Sequence, residues 1–392
     1  MTASHVTLDL DDPERLAWLR LARSRGLGAM LFFRLIERFG KATAVIEALP
    51  RLHGQLAAKG FELASERSVD AEIAALDRLG ARLLLACEPD YPLPLRNIAD
   101  PPPVLILLGR PHLLAVRVVA IVGARNASGN GRFFATTLAR ELSERELTVV
   151  SGLARGIDTA AHQGGLEGKG ATIAVLGSGI DVVYPPENAE LHARIAAEGL
   201  IVSERAPGTP PLARHFPRRN RIIAGLASAV VVVEAAARSG SLMTARLAGS
   251  EGREVMAVPG SPLDPRHAGT NQLLRDGAAL VTGIEDVMAA LPSWTTAPPP
   301  RSVKKQLIEA GADRPSTAPT PKPMAVETGP QPALGALPET IATLLGVEPM
   351  PVDEVIRQCH ATPSQVQDAL LDLELDGRVR RHPGNRISRA LA

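Results

Sequence analysis

Between Glu204 and Glu234 the chain carries five arginines, Arg205, Arg214, Arg218, Arg219 and Arg221, and no acidic residue; four of them crowd into the run R-H-F-P-R-R-N-R. Planar guanidinium groups present forked donors that match phosphate oxygens, so a block this one-sided points to a polyanion. Arginine is used in preference to lysine throughout the centre, with seventeen Arg and one Lys, Lys169, from Val116 to Leu291. The competing reading is a solvated arginine face paired with carboxylates elsewhere. Asp158 and His162 stand four apart, as an acid–base pair on one helix would, but no nucleophile or metal ligand accompanies them and a structural hydrogen bond is expected. Arg155 precedes Asp158 by three, a spacing that also suits a salt bridge at a helix start. Glu204 and Glu234 end apolar runs beside the arginines and are expected to orient guanidinium groups. Arg219 and Arg221 cannot face the same way on one helix, so one of them is expected to be structural.

The elements that must hold these groups repeat one unit: a short β-branched run, a glycine-rich turn, then a helical stretch. The runs are V-V-A-I-V-G, T-V-V-S-G, T-I-A-V-L-G, L-I-V-S-E, A-V-V-V-V-E and V-M-A-V-P-G. Continuous apolar strands alternating with helices imply a parallel sheet covered on both faces, an α/β fold of the doubly wound, Rossmann-like class. Ligands of such sheets bind beyond the carboxyl ends of the strands. Those ends carry Gly123, Arg125 and Ser128; Ser151, Gly152 and Arg155; Gly177, Ser178 and Gly179; Ser203 and Glu204; Ser239, Gly240 and Ser241; and Pro259 and Gly260. Small residues there let backbone N–H groups approach an anion, and the following helix N-termini add a favourable dipole. Guanidinium groups and exposed amides are therefore expected along one edge of the sheet, as a trough for a sugar-phosphate strand.

The kind of anion is limited by what the loops lack. A dinucleotide site needs G-x-G-x-x-G after the first strand and an acidic residue ending the second. The first turn instead reads G-A-R-N-A-S-G-N-G, with Arg125 where a second glycine belongs, and the second strand ends in Ser151-Gly152. G-G-L-E-G-K-G has the wrong glycine spacing for a phosphate-binding P-loop, and Gly170 stands where a magnesium-binding hydroxyl is required. No cofactor, no metal and no catalytic residue is expected. Arginine at the anion site suits a repeated backbone phosphate better than one pyrophosphate.

A chain of 392 residues, 45% hydrophobic and with formal net charge +1, exceeds one core, and any anion-binding surface on it must be local. Two distant cysteines, Cys87 and Cys359, exclude a disulfide scaffold and fit a cytoplasmic protein. The acidic start M-T-A-S-H-V-T-L-D-L-D-D is unlike a signal peptide, and no apolar run reaches membrane-spanning length. From Pro292 to Pro338 eleven prolines fall in 47 residues, the composition of a linker. The expected organisation is a helical domain at 1–85, a sheet core at 86–291, a Pro-rich linker at 292–337 and a small domain at 338–392. The R-G-L-G-A turn between the first helices resembles a helix-hairpin-helix element, although a plain helix connection is the expectation.

Taken together, V-A-I-V-G-A-R, S-G-L-A-R-G-I-D-T-A-A-H, F-P-R-R-N-R-I-I-A-G-L, V-V-E-A-A-A-R-S-G-S-L-M-T-A and V-P-G resemble the DNA-processing protein A family, also called DprA or Smf. The likeness runs from about Tyr91 to Leu280 and includes Y-P-x-x-L, D-P-P-P-V-L-I-L-L-G and Y-P-P-E-N. It implies an extended Rossmann-like core flanked by a SAM-like helical N-terminal domain and a C-terminal winged helix. It also implies a cytoplasmic homodimer without catalysis that binds single-stranded DNA, protects it during natural transformation and helps load a RecA-type recombinase. A single-strand-binding protein joins the expected partners. Carried over residue by residue, Arg125, Phe216, Arg218, Arg219, Asn220 and Arg221 match the family's basic nucleic-acid pocket. Ser151, Gly152, Arg155 and Gly156 would line it from the second strand's turn, and Ser239, Gly240 and Ser241 from the fifth.

With 3% aromatic residues the chain offers no stacking platform, so phosphates are expected to carry the affinity, with Phe216 either stacking one base or anchoring the arginine loop. In the tail, T-P-S-Q-V-Q-D-A-L-L-D-L-E-L-D-G has Thr362 as N-cap and Gly377 as stop, and Pro383-Gly384 is expected to turn a wing. Its recognition helix carries Asp368, Asp372, Glu374 and Asp376 and no basic residue, which opposes entry into a major groove. Wing residues Arg378, Arg380, Arg381 and Arg386 remain for DNA or an acidic partner. Two other functions compete: a nucleoside-monophosphate glycosidic hydrolase of the lysine-decarboxylase-like class, whose P-G-G-x-G-T-x-x-E signature is broken after Pro259-Gly260, and a winged-helix regulator sensing a small phosphate ligand.

Overall fold

The computed structural model describes residues 13–57, 60–291, 337–346, 349–359, 361–382 and 385–390. The acidic start, the stretch 292–336 read as a linker and the Pro383-Gly384 wing turn lie outside the described residues. Those described divide between two compact units, one drawn from 1–47 and 63–294 and the other from 48–62 and 295–392.

The first unit is built on nine strands: β1 (Arg82–Leu85), β2 (Val104–Gly109), β3 (Val118–Val122), β4 (Thr148–Ser151), β5 (Thr172–Gly179), β6 (Leu200–Arg205), β7 (Ala229–Val232), β8 (Glu254–Ala257) and β9 (Ala279–Leu280). They lie in the order β1-β2-β6-β5-β4-β3-β7-β8-β9. The seven strands from β6 to β9 run parallel, while β2 pairs antiparallel with β6 and with β1. All six apolar runs become strands of the parallel part. The antiparallel pair is an addition, and β1 falls inside the stretch read as purely helical.

Before the sheet stand α1 (Pro13–Arg23), α2 (Ala29–Phe39), α3 (Ala42–Ala57) and α4 (Glu66–Leu79). Glu14 accepts from the Thr43 amide at 3.0 Å and so satisfies one of the open N–H groups that begin α3. Trp18 packs edge-on against Phe32, 4.9 Å between ring centres, and its indole N–H donates to the Pro103 carbonyl at 2.9 Å. Within the sheet run α5 (Leu93–Arg96), α6 (Gly129–Glu144), α7 (Ile157–Gly165), α8 (Ala189–Glu198), α9 (His215–Leu226), α10 (Ser241–Ser250), α11 (Ala268–Arg275) and α12 (Ile284–Ala290). Val119, Ile121, Val149, Val231 and Met256 from neighbouring strands are fully buried against Leu138, Leu142 and Ile157 of α6 and α7. The chain winds outward from β3 to β6 and then crosses back to β7 beside β3, so the strand order reverses between β3 and β7, the switch point at which such folds leave a crevice.

The second unit contains α13 (Leu337–Leu344), β10 (Met350–Pro351), α14 (Val352–Cys359), α15 (Pro363–Leu375), β11 (Val379–His382) and β12 (Arg386–Arg389), with a sheet ordered β10-β12-β11. This is a winged helix around Ile341, Val355, Val366, Leu370 and Ile387. Thr362 caps α15 through a reciprocal box with Gln365, and Gly377 turns the chain at φ +71°, as read from the sequence. Arg378 is held by Glu339 at 2.5 Å and Arg386 donates to the Pro349 carbonyl at 2.6 Å. Among the described residues no helix is long and apolar enough to cross a membrane.

Candidate nucleic-acid interface

The rim begins where β3 runs into Gly123-Ala124-Arg125. A Cβ on Gly123 would stand 2.6 Å from Ile157, and one on Gly156, whose φ is +77°, would stand 2.3 Å from the Ala124 carbonyl oxygen. Only glycines let these two turns press together. Their contact places Arg125 beside Arg155 on a solvent-facing groove of about 510 Å³ that also takes in Arg132, Phe133 and Glu187. Arg155 pairs with Glu187, not with Asp158. The Arg125 guanidinium lies 5.5 Å over the Phe216 ring, and Phe216 in turn meets Tyr184 at 5.7 Å between ring centres. Tyr184 is 43% exposed and Phe133 75% exposed. Neither residue is marked as part of the site by its letter, because exposure, which an aromatic letter does not reveal, is the missing signal.

Below the rim lies a floor. Ser151 is fully buried and donates to the Ile121 carbonyl at 2.7 Å. Arg219 turns inward and donates to the carbonyls of Gly152 at 2.5 Å and Val175 at 2.6 Å, while its Nε donates to Asn220 Oδ1 at 3.1 Å. Gly152 is a glycine for this reason, since a Cβ there would stand 2.0 Å from the guanidinium. Burial pushes Arg219 down to about 10, against the pull of the Asp158 carboxylate. Ser151, Gly152 and Arg219 are thus support under the site and expose no group toward solvent, which differs from the lining role expected of them. Asp158 accepts from the Gly152 amide at 3.1 Å. His162 accepts at Nε2 from the Leu153 amide at 3.1 Å and meets the Thr172 hydroxyl through Nδ1 at 2.8 Å. Both are structural, as expected from the absence of a nucleophile.

Burial lowers the His162 imidazole to about 3, far below its ordinary range. Unfolding therefore binds a proton at this residue between about pH 6.5 and 3, and stability falls with falling pH by about 1.4 kcal/mol per unit at this site. We expect urea denaturation of His162→Gln to lose that share of the acid slope relative to the parent protein. An identical slope in the two proteins would place the acid sensitivity elsewhere.

Arg221 also differs from a free phosphate contact. It is held by Glu204 at 2.5 Å, by the Asp100 carboxylate at 3.3 Å and by the Asp100 carbonyl at 2.6 Å. Glu204 thus orients a guanidinium, as read. Glu234 does not: it is buried and accepts from the Ser128 amide at 2.9 Å and the Ser128 hydroxyl at 2.5 Å. Ser128 in turn caps α6 by accepting from the Gly131 amide at 2.8 Å, and a Cβ on Gly131 would stand 2.5 Å from the Glu234 carboxylate. The N-terminus of α6 is where a Rossmann fold seats a pyrophosphate. Here the chain's own carboxylate fills that seat at the β3–β7 switch point. Ser239 and Ser241 share a hydroxyl contact of 2.7 Å beyond β7, with Gly240 exposed between them and Ser241 buried. Among the described residues no hydrogen bond joins this trio to Arg125. No group of three or more His, Cys, Asp or Glu among the described residues is placed to hold a metal ion.

Arg155 and Arg214 are exposed, and so are Arg125, on the Phe216 side of the first turn of α9, and Arg218, on its other side. Neither Arg125 nor Arg218 lies within ion-pair distance of a carboxylate among the described residues. The first turn of α9 carries no acidic residue and no side-chain cap. Fold and rim together define an extended Rossmann-like protein that presents arginine where dinucleotide-binding members present glycine. Sequence comparison says which: the DNA recombination-mediator protein A profile matches residues 82–292, flanked by matches to a DprA-like N-terminal HHH domain at 12–75 and a DprA winged helix domain at 325–385. The chain belongs to the DNA-processing protein A (DprA/Smf) family. It is 33% identical to protein Smf of Synechocystis over 96% of this chain and 99% of that one. The structure of DNA processing protein A from Streptococcus pneumoniae superposes with a TM-score of 0.55 at 41% identity, over 62% of this chain and 87% of the other. That of DNA processing protein A from Helicobacter pylori, described for its single-stranded DNA binding mode, gives 0.50 at 31% identity over 54% and 95%.

Proposed function

We propose that this protein binds single-stranded DNA without catalysis, protects it during transformation and helps place a RecA-type recombinase on it, acting as a homodimer in the cytoplasm. One observation carries the reading: among the described residues Arg125 and Arg218, on the two flanks of α9, have no carboxylate within ion-pair distance, and Phe216 stands under Arg125 with Tyr184 next to it. Arginines without a carboxylate partner on an open rim suit a flexible sugar-phosphate chain, and a half-exposed aromatic pair admits a base by stacking, which tolerates any sequence. The seat taken by Glu234 disfavours a nucleotide cofactor at the switch point. The relative from Helicobacter pylori, with its single-stranded DNA binding mode, supports the same reading. In the winged helix, the acidic α15 and the occupied Arg378 favour a contact with a protein or an accessory role on DNA over sequence-specific readout.

The test is a competition titration of single-stranded against double-stranded DNA over a salt series. We expect preference for single strands, indifference to base order and a steep log–log salt dependence of about −0.7 for each phosphate contact. Preference for duplex would overturn the assignment.

A further inference from the structure

On the far side of α9 from Arg125 lies a second cavity, of about 540 Å³, which none of the expected site residues except Arg218 and Arg221 enters. One wall is the turn from Arg23 to Ala29 that joins α1 to α2; the other is formed by Arg205, Thr209 and Arg218. Its arginines fall into two kinds. Arg23 is spent on Glu72 at 2.7 Å and on the Glu204 carbonyl at 3.0 Å, and Arg221 on Glu204 and Asp100. Arg205 and Arg218 have no carboxylate within ion-pair distance among the described residues. Arg205 is half-buried, and its guanidinium is held below the ordinary range by burial and by the neighbouring charges of Arg218, Arg23 and Arg221, against the opposing pull of Glu204. A cation kept partly desolvated among like charges is stabilised by an anion from outside. Across the cavity, α2 begins at Gly28 with no side-chain cap, so the amides of its first turn add to the same potential.

We propose that this cleft is a second phosphate seat, which takes the backbone of the same single strand after it crosses the first turn of α9 from the Arg125 side. The proposal rests on the single-strand reading above and extends it: the helical hairpin becomes part of the binding surface, and the footprint lengthens by the nucleotides that reach the cleft. A free mononucleotide shares the phosphate chemistry, but the cleft opens beside Arg218 on the rim itself, which favours a strand already held there.

Two variants test it against oligo(dT) of graded length, with dTMP as a separate arm. Arg205→Ala removes one of the two cavity cations that have no carboxylate partner among the described residues. Gly28→Asp places a carboxylate in the cleft at a position whose backbone is extended, whose Cβ would meet nothing within 4 Å, and whose N-cap role favours aspartate, so the fold should be as stable or more so. We expect both to weaken the longer oligomers about tenfold and to lower their salt slope by about 0.7, while the shortest oligomers that still bind are unaffected. Loss of affinity at every length alike, or at none while Arg125→Ala weakens all, would overturn the second seat and leave the rim intact. Loss confined to dTMP would make the cleft a mononucleotide site instead. Failure of the parent protein to bind any single strand would remove both readings.

Discussion

Replacing Arg219 with alanine is expected to lower the unfolding free energy by about 3–5 kcal/mol, the largest cost of any change in the arginine block. The guanidinium is buried, and its loss leaves the Gly152 and Val175 carbonyls without their donor and Asp158 without the nearby positive charge. Each stranded polar group in a low-dielectric site costs about 1–3 kcal/mol. Lysine should recover only part of this, because one ammonium cannot reproduce a planar fork that bridges two strand ends. Urea denaturation of Arg219→Ala and Arg219→Lys measures the effect. Full native stability together with lost DNA binding would return Arg219 to the contact surface.

Arg125→Ala should behave in the opposite way. Its side chain is exposed and makes no ion pair among the described residues, so the thermal midpoint should not move, while affinity for single strands falls about tenfold or more and the salt slope drops by about 0.7. Arg125→Lys should keep the slope, since the charge remains, yet lose part of the affinity as the flat group over Phe216 is replaced. Phe216→Leu in both backgrounds then reports whether ring and guanidinium act together. An unchanged slope and affinity in Arg125→Ala would take this residue out of the site.

The arginines of R-R-N-R could not be told apart as letters. R-R-N-R announces charge, but whether a guanidinium faces a phosphate or a carbonyl depends on what the fold brings beneath it. For Arg219 that is Gly152, 67 positions away, whose absent side chain opens the space that the guanidinium fills. For Arg221 it is Asp100, 121 positions away. Glu204 and Glu234 likewise both end apolar strands, yet one meets a guanidinium and the other a serine at the switch point.

The six parallel strands, the winged helix with its Thr362 cap and the family likeness were all readable in the chain itself, because run length, turn glycines and capping pairs act over a few residues. The antiparallel pair β1 and β2 was not, since R-L-L-L beside a helix reads as its continuation until β6 supplies hydrogen-bond partners to β2. Sequence alone determined that an arginine-rich rim exists and on which fold. Tertiary structure decided which arginines are exposed at that rim, that Glu234 closes the cofactor seat, and that a hairpin turn near the N-terminus stands across from Arg205. Burial and charge pairing join residues distant in the chain, and no local pattern records them.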